Sequence, residues 1–372
     1  MEPKFGADDR LLYGLDAMQG WRRSMEDAHA TVLDLQENES TKAPPEERVS
    51  YFGVFDGHRG GRVARYSGEN VHKILAGQPT FKAKNYAQGL KDGFLATDRA
   101  ILQDKSYKGE LSGCTATVAL VTSSRIYVAN AGDSRTVLGT GGRAKPLSQD
   151  HKPQAEAEKE RIRRAGGYVV MGRVNGMLAV SRAIGDFEFK RKTELPPEQQ
   201  SITACPDVSE HDITADDEFL VLACDGIWDC ASSERVIGFV RRSIAARQRL
   251  DTICQKMILK CMANVPNTRG IGCDNMTMII IGLLQEKTPE EWYNMIATRV
   301  ADSDRSYAGS PVYYYQKPVE FGKSGSIIVS GESTHESSDT EDDEKEDNEQ
   351  QGDLAGSAES NNRNPDVVVG YQ

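Results

Sequence analysis

The sequence has no CxxC pair, and its seven cysteines are an odd number. Cys224 and Cys230 stand too far apart for a zinc knuckle, and no paired histidines lie near them. Neither a disulfide framework nor a zinc finger is expected. No apolar run approaches the roughly 20 residues that a membrane-spanning helix needs. No apolar segment sits behind a basic start, and Met1 is followed by Glu2 rather than Gly. A secretory leader and N-myristoylation are therefore not expected. Repeats at solenoid spacing are missing too. These absences point to a reduced intracellular protein with free thiols. There is no convincing basic localisation cluster, so cytoplasm and nucleus both stay open.

An excess of one charge sign is also lacking once the charge is located. The net charge of −11 lies in residues 331–372, which carry thirteen acidic and two basic side chains. The other 330 residues hold 43 of each sign. The body of the chain is thus expected to bind neither nucleic acid nor membrane, and an acidic tail is appended to it. A chain of 372 residues is long enough for one large domain with a self-supporting core.

What is present is organised around YFGVFDGHRGG at 51–61. A short continuous apolar run stopped by Gly reads as a strand buried on both faces. It ends in Asp56-Gly57-His58, which joins a carboxylate, a flexible backbone and an imidazole. FLVLACDG at 219–226 repeats the logic, with Asp225 at its end and Asp229 four residues on. Leu11–Met18 alternates weakly as a strand and runs into GWRRSMED, where Glu26 and Asp27 stand near Arg22 and Arg23. Taken alone, that segment is equally a charged surface turn. Residues 115–122 and 126–131 form a hairpin, which argues against a purely parallel sheet. The hairpin leads into Gly132-Asp133, and Asp274 introduces the most apolar strand, 276–284. Helical spacing is expected over 61–76, 86–106, 153–164, 232–246, 250–263 and 288–300. Asn175-Gly176 signals a turn.

Glu26, Asp27, Asp56, Asp133, Asp225, Asp229 and Asp274 all fall at strand ends or Gly-flanked turns. Singly, each aspartate is as well explained as a turn residue or cap. Together they would repel and raise one another's pKa values unless a cation joined them. Carboxylate, carbonyl and water ligands suit Mg²⁺ or Mn²⁺, whereas histidines and cysteines are too scattered for zinc. A glycine at 57 would let its carbonyl approach such an ion closely.

Seven motifs carry a resemblance to a known family: MQGWRRSMEDAH, YFGVFDGHRGG, SGCTA, VANAGDSR, LAVSRAIGD, LACDGIWD and DNMTMIIIGL. In the family's order, they resemble the type 2C (PPM) metal-dependent serine/threonine phosphatases over residues 10–285. The short helix and acidic tail beyond look like those of fungal stress-pathway members. The resemblance implies an α+β fold, with a central β-sandwich of two antiparallel sheets flanked by helices and a metal cleft at one end. It implies a catalytic domain at 1–286, a helical extension at 287–305 and a low-complexity acidic tail at 306–372.

The resemblance also implies a binuclear site in which Asp56 bridges two ions. The Gly57 carbonyl completes one position, and Glu26, Asp27, Asp225 and Asp274 bind directly or through water. Asp133 would help hold a weaker third ion with Asp225, with Asp229 as a further candidate. Arg22 matches the phosphate-binding arginine and His58 the general acid; a structural histidine beside the ions is the alternative. Arg23-Ser24 and Cys114 depart from common family residues, but no metal ligand is lost. Arg59, Arg62 and Arg65 are either solvated charges or a bias toward acidic phosphosites. The implied function is dephosphorylation of phosphoserine and phosphothreonine proteins, protein kinases of stress or MAP-kinase signalling among them, by a monomeric enzyme. A catalytically silent phosphoprotein-binding module is the competing reading. Ser333, Ser338 and Thr340 each have an acidic residue three positions on, so the tail reads as a docking or phosphorylation segment, or as a solubilising one.

Overall fold

The apolar strands of this chain bury two faces rather than one. Every residue of Ser50–Phe55 is buried. Phe52 and Val54 enter one apolar cluster, while Tyr51 and Phe55 enter another. Asp217–Ala223 behaves alike, with Leu220 and Leu222 on one side and Val221 and Ala223 on the other. Alternate side chains of a strand point to opposite faces, so such strands need cover on both.

The computed structural model describes residues 4–35, 44, 46–266 and 270–306, and four layers supply that cover. One antiparallel sheet has the order Phe5–Ala7, Leu11–Met18, Met276–Leu283, Asp217–Ala223, Arg135–Thr140 and Arg143–Pro146. The other has the order Asp207–Asp212, Arg125–Ala131, Ala116–Val121, Ser50–Phe55 and Ala28–Val32. Leu15, Phe52, Ile126, Leu220 and Ile279 pack between them. Helices Ser233–Ala245, Leu250–Cys261 and Pro289–Ser306 cover the outer face of the first sheet. Arg62–Gly77 and Tyr86–Gln103 cover the second. This is the expected α+β sandwich.

Packing explains details that pattern alone leaves open. Gly14 lies in a strand because a Cβ there would stand 2.1 Å from the Asp251 amide nitrogen, so helix Leu250–Cys261 rests directly on the sheet. The charged segment Asp207–Asp212 carries no apolar signal, yet it pairs with Arg125–Ala131 as an edge strand. Arg125 binds Asp212 at 2.6 Å and Glu210 at 2.9 Å, which suits an edge that must not recruit another strand. Asn175 and Gly176 both take positive φ, 51° and 74°, in the turn expected there.

Helix Pro289–Ser306 is seated in the core. A capping box opens it: the Thr288 amide donates to Glu291 Oε2 at 2.8 Å, and the Glu291 amide donates to Thr288 Oγ1 at 3.3 Å. Trp292 and Ile296 are fully buried, and Trp292 Nε1 donates to the Glu218 carbonyl at 3.1 Å. The tail sites Ser333, Ser338 and Thr340 lie outside the described residues. Removing so large a buried ring should destabilise the fold by about 3–5 kcal/mol. Urea denaturation of Trp292→Ala checks this, and a loss under about 1 kcal/mol would show the helix to be dispensable.

Candidate active site

Antiparallel pairing brings the carboxylates together. Asp56 follows the end of Ser50–Phe55, and Asp27 precedes its neighbour Ala28–Val32, with Ala28 opposite Phe55. In the other sheet Asp225 follows Asp217–Ala223. Its two neighbours begin nearby: Ala223 lies opposite Arg135 and Met278, so Asp133 and Asp274 enter at the same end. The end of one strand and the start of the next are adjacent in an antiparallel ladder, and stacking two sheets doubles that effect.

The consequence is electrostatic. Asp56 is pushed well above the usual carboxylate range, first by burial and then by the charges of Asp225, Asp27, Asp133 and Asp274. Asp225 is pushed up to about 7 by burial, Asp133, Asp274 and Asp229. Asp27 is pushed up to about 6 by burial, against the hydrogen bond that Thr277 Oγ1 donates to its Oδ2 at 2.6 Å. Its other oxygen, Oδ1, is buried with no hydrogen-bond partner of normal geometry among the described residues, and the Cys224 thiol is the polar group near this carboxyl.

Among the described residues, ion pairs to lysine or arginine form at the outer members. Arg22 Nη2 meets Asp274 Oδ2 at 2.5 Å, and Lys152 Nζ meets Asp133 Oδ2 at 2.5 Å. Asp229 stands partly exposed at the end of the single helical turn Asp225–Trp228; the buried part of its surroundings raises its pKa while Lys152 lowers it. Glu26 accepts from the Gly60 amide at 3.0 Å and from Ser24 Oγ at 2.8 Å. Gly57 has a structural reason to be glycine, since a Cβ there would lie 2.2 Å from the Glu26 carbonyl oxygen. His58 turns to Asp186, with Nε2 2.7 Å from Oδ2.

Several residues that hold this arrangement were not legible as site residues. Asn275 accepts from the Glu26 amide at 2.8 Å and donates to the carbonyls of Gln19 at 2.7 Å and Ser24 at 3.0 Å. It thereby ties the 19–26 loop to the strand that follows Asp274. Asn275 and Thr277 lie in the DNMT motif, but their partners are some 250 residues away in sequence. Cys224 has its sulfur within 4.8 Å of ligand atoms of Asp27 and Asp56. Burial drives that thiol's pKa strongly up, and it accepts from the Thr277 amide at 3.1 Å. It stays a neutral thiol, and the donors left for an ion are oxygens.

Partly buried like charges, an orphaned carboxylate oxygen and an oxygen donor set together fit hard divalent cations such as Mg²⁺ or Mn²⁺. An exposed arginine at the rim suits a phosphate ester. The class defined by fold and site is a metal-dependent phosphoric ester hydrolase.

The family model "Protein phosphatase 2C" matches residues 11–268. A "Protein phosphatase 2C homolog 2" of Hypocrea jecorina is 62% identical over 299 residues, 80% of this chain and 68% of that protein. Its namesake in Schizosaccharomyces pombe is 54% identical over 296 residues, 79% of each chain. Among solved structures, a serine-threonine phosphatase 2C from Toxoplasma gondii shares the fold, with a TM-score of 0.64 at 19% identity over 75% of this chain and 97% of that one. The chain belongs to the protein phosphatase 2C family and is a metal-dependent protein serine/threonine phosphatase.

The raised carboxylates set a pH dependence for the metal-free protein. Below about pH 3 they are protonated in both folded and unfolded chains and cost nothing. As pH rises through about 6 and about 7, the values for Asp27 and Asp225, ionisation is harder in the folded chain and stability is lost. With chelator present, the free energy of unfolding should fall between about pH 5 and pH 8, and Asp225→Asn should reduce that fall by on the order of 2 kcal/mol. Equal slopes for the two proteins would contradict the repulsion described.

Proposed function

We propose that two ions, Mg²⁺ or Mn²⁺, are held about Asp56, with Glu26, Asp27, Asp225 and Asp274 as further carboxylates and Gly57 as carbonyl donor. A weaker third ion would sit between Asp225 and Asp133, with Asp229 at the rim. The supporting observation is the convergence of Asp27, Asp56 and Asp225, which among the described residues form no ion pair with a lysine or arginine, while Asp133 and Asp274 are paired with Lys152 and Arg22. Bound there, such ions would supply Lewis acidity and would activate water as a nucleophile near neutral pH.

The chain's own residues do the rest. The Arg22 side chain is 59% exposed, free to leave Asp274 and grip two phosphate oxygens at once. Hydrolysis breaks the bond between phosphorus and the serine or threonine oxygen. That alkoxide is strongly basic, so His58 protonates it as it leaves, an effect worth about 10²–10⁴ in rate. Phosphorylated proteins are the substrates, and kinases of stress signalling are the class we propose, which makes the enzyme a negative regulator of those pathways. We place it in cytoplasm or nucleus as a monomer whose acidic tail, with Ser333, Ser338 and Thr340, docks partners or takes phosphate.

Two measurements check this reading. With Mn²⁺ and a phosphothreonine peptide, Asp56→Asn and Asp225→Asn should each lose at least about 10²-fold in kcat, in the range seen when a group acting in the transition state is removed. A near-normal rate in either would overturn the ion assignment, and no metal-dependent release from the unaltered protein would favour a silent binding module. Truncation after residue 306 should leave peptide turnover intact and change the set of co-purifying phosphoproteins; an unchanged set would sink the docking role.

A further inference from the structure

We infer that Asp186 is the positioning residue for His58: it fixes the imidazole through Nε2, so that Nδ1 is the nitrogen presented to the leaving oxygen. The inference rests on the reading of His58 as proton donor.

Three two-residue strands build the pair. Gly57–His58 and Ile184–Gly185 both pair with Gly113–Cys114, and His58 and Gly185 both stand opposite Gly113. Gly113 is the spacer that makes room. A Cβ there would lie 2.1 Å from Asp186 Oδ2 and 2.7 Å from His58 Nε2. No residue but glycine leaves the gap in which these two side chains meet.

Asp186 is held at some cost. Its backbone is left-handed, with φ 52° and ψ 41°, and its side chain is fully buried. Non-glycine residues adopt that conformation rarely, and such strain persists where the surroundings over-determine it. The surroundings here do so. The Asp186 amide donates to the Ser112 carbonyl at 3.2 Å, and the Phe189 amide donates to the Asp186 carbonyl at 2.9 Å. The preceding Gly185 amide donates to Asp98 Oδ1 at 2.8 Å, and Lys190 Nζ holds the same oxygen at 2.7 Å.

The buried carboxylate then has little to bind except His58. Its Oδ2 is 2.7 Å from Nε2, and its Oδ1 has no hydrogen bond, with Arg59 Nη1 at 4.0 Å. A buried carboxylate on a ring N–H fixes both ring orientation and tautomer. With the Nε2 proton held by Asp186, the donor is the imidazolium form: the Nδ1 proton, on the ring edge away from Asp186, passes to the leaving oxygen and leaves the neutral ring with its proton on Nε2. The His58 side chain is 21% exposed, so the ring is within reach of substrate.

The experiment uses the full-length, metal-loaded protein with two substrates, a phosphothreonine peptide and p-nitrophenyl phosphate. The nitrophenolate leaves without a proton, whereas the threonine alkoxide needs one. Asp186→Asn keeps the side-chain shape and tolerates the left-handed backbone. It should lower kcat on the peptide by about 10²-fold with KM within about 2-fold, and cost much less on the aryl ester. His58→Ala should show the same selectivity, and the double variant should be no worse than His58→Ala alone.

An equal loss on both esters, or a loss that adds to that of His58→Ala, overturns the inference. If His58→Ala is itself unselective, the proton-donor reading fails. The pairing is then decided by long-range ¹H–¹⁵N spectra of the Mg²⁺-loaded protein. A protected Nε2 proton that Asp186→Asn exposes to exchange supports it, and unchanged ring signals overturn it. Gly113→Ala is the second variant should Asp186→Asn fail to fold. Its methyl would wedge the pair apart and should give the same selective loss; equal losses on both esters there count against the pairing.

Discussion

The structure depends on one unfavourable interaction: the partly buried carboxylate of Asp56 is crowded by Asp225, Asp27, Asp133 and Asp274. Like charges this close resist ionisation, and a fold that keeps them together must gain elsewhere. The gain comes from the two-faced strands behind them, whose alternate residues enter separate apolar clusters. Burial on that scale offsets the penalty of an uncompensated acidic pit at one end. Divalent cations held there, as proposed, would remove the penalty and turn the pit into a site.

The same end of the sandwich sorts its charges by depth. Among the described residues the innermost carboxylates form no ion pair with a lysine or arginine; Asp27 has instead the hydroxyl of Thr277. The outer ones have tethered cations, Arg22 on Asp274 and Lys152 on Asp133. A tethered cation can be displaced, which suits groups that must release a side chain when substrate or an ion arrives. His58 belongs to neither set and is held instead from behind, in a space that Gly113 keeps clear.

Much of this was legible in the chain itself, for reasons that can be located. FGVFDG and LVLACDG are readable because a strand buried on both faces is continuously apolar and an Asp-Gly stop is conspicuous. The starts of neighbouring strands were harder. AHATV is short and built of small residues, so nothing in it announces that Asp27 will face Asp56. DVSEHD is a strand with a single apolar residue, Val208, too little to show an alternation. Asp186 was visible inside SRAIGD, yet its partner is 128 residues distant, and only the fold puts them in contact. Gly113 is similar, because a missing side chain has meaning only against what fills the space.

Anomalous diffraction from a crystal grown with Mn²⁺ tests the central claim most directly. The account predicts two strong peaks flanking the Asp56 carboxylate, within coordination distance of Asp27 or Asp225 on either side. A pit containing no peak, or a single ion bound away from Asp56, would contradict it.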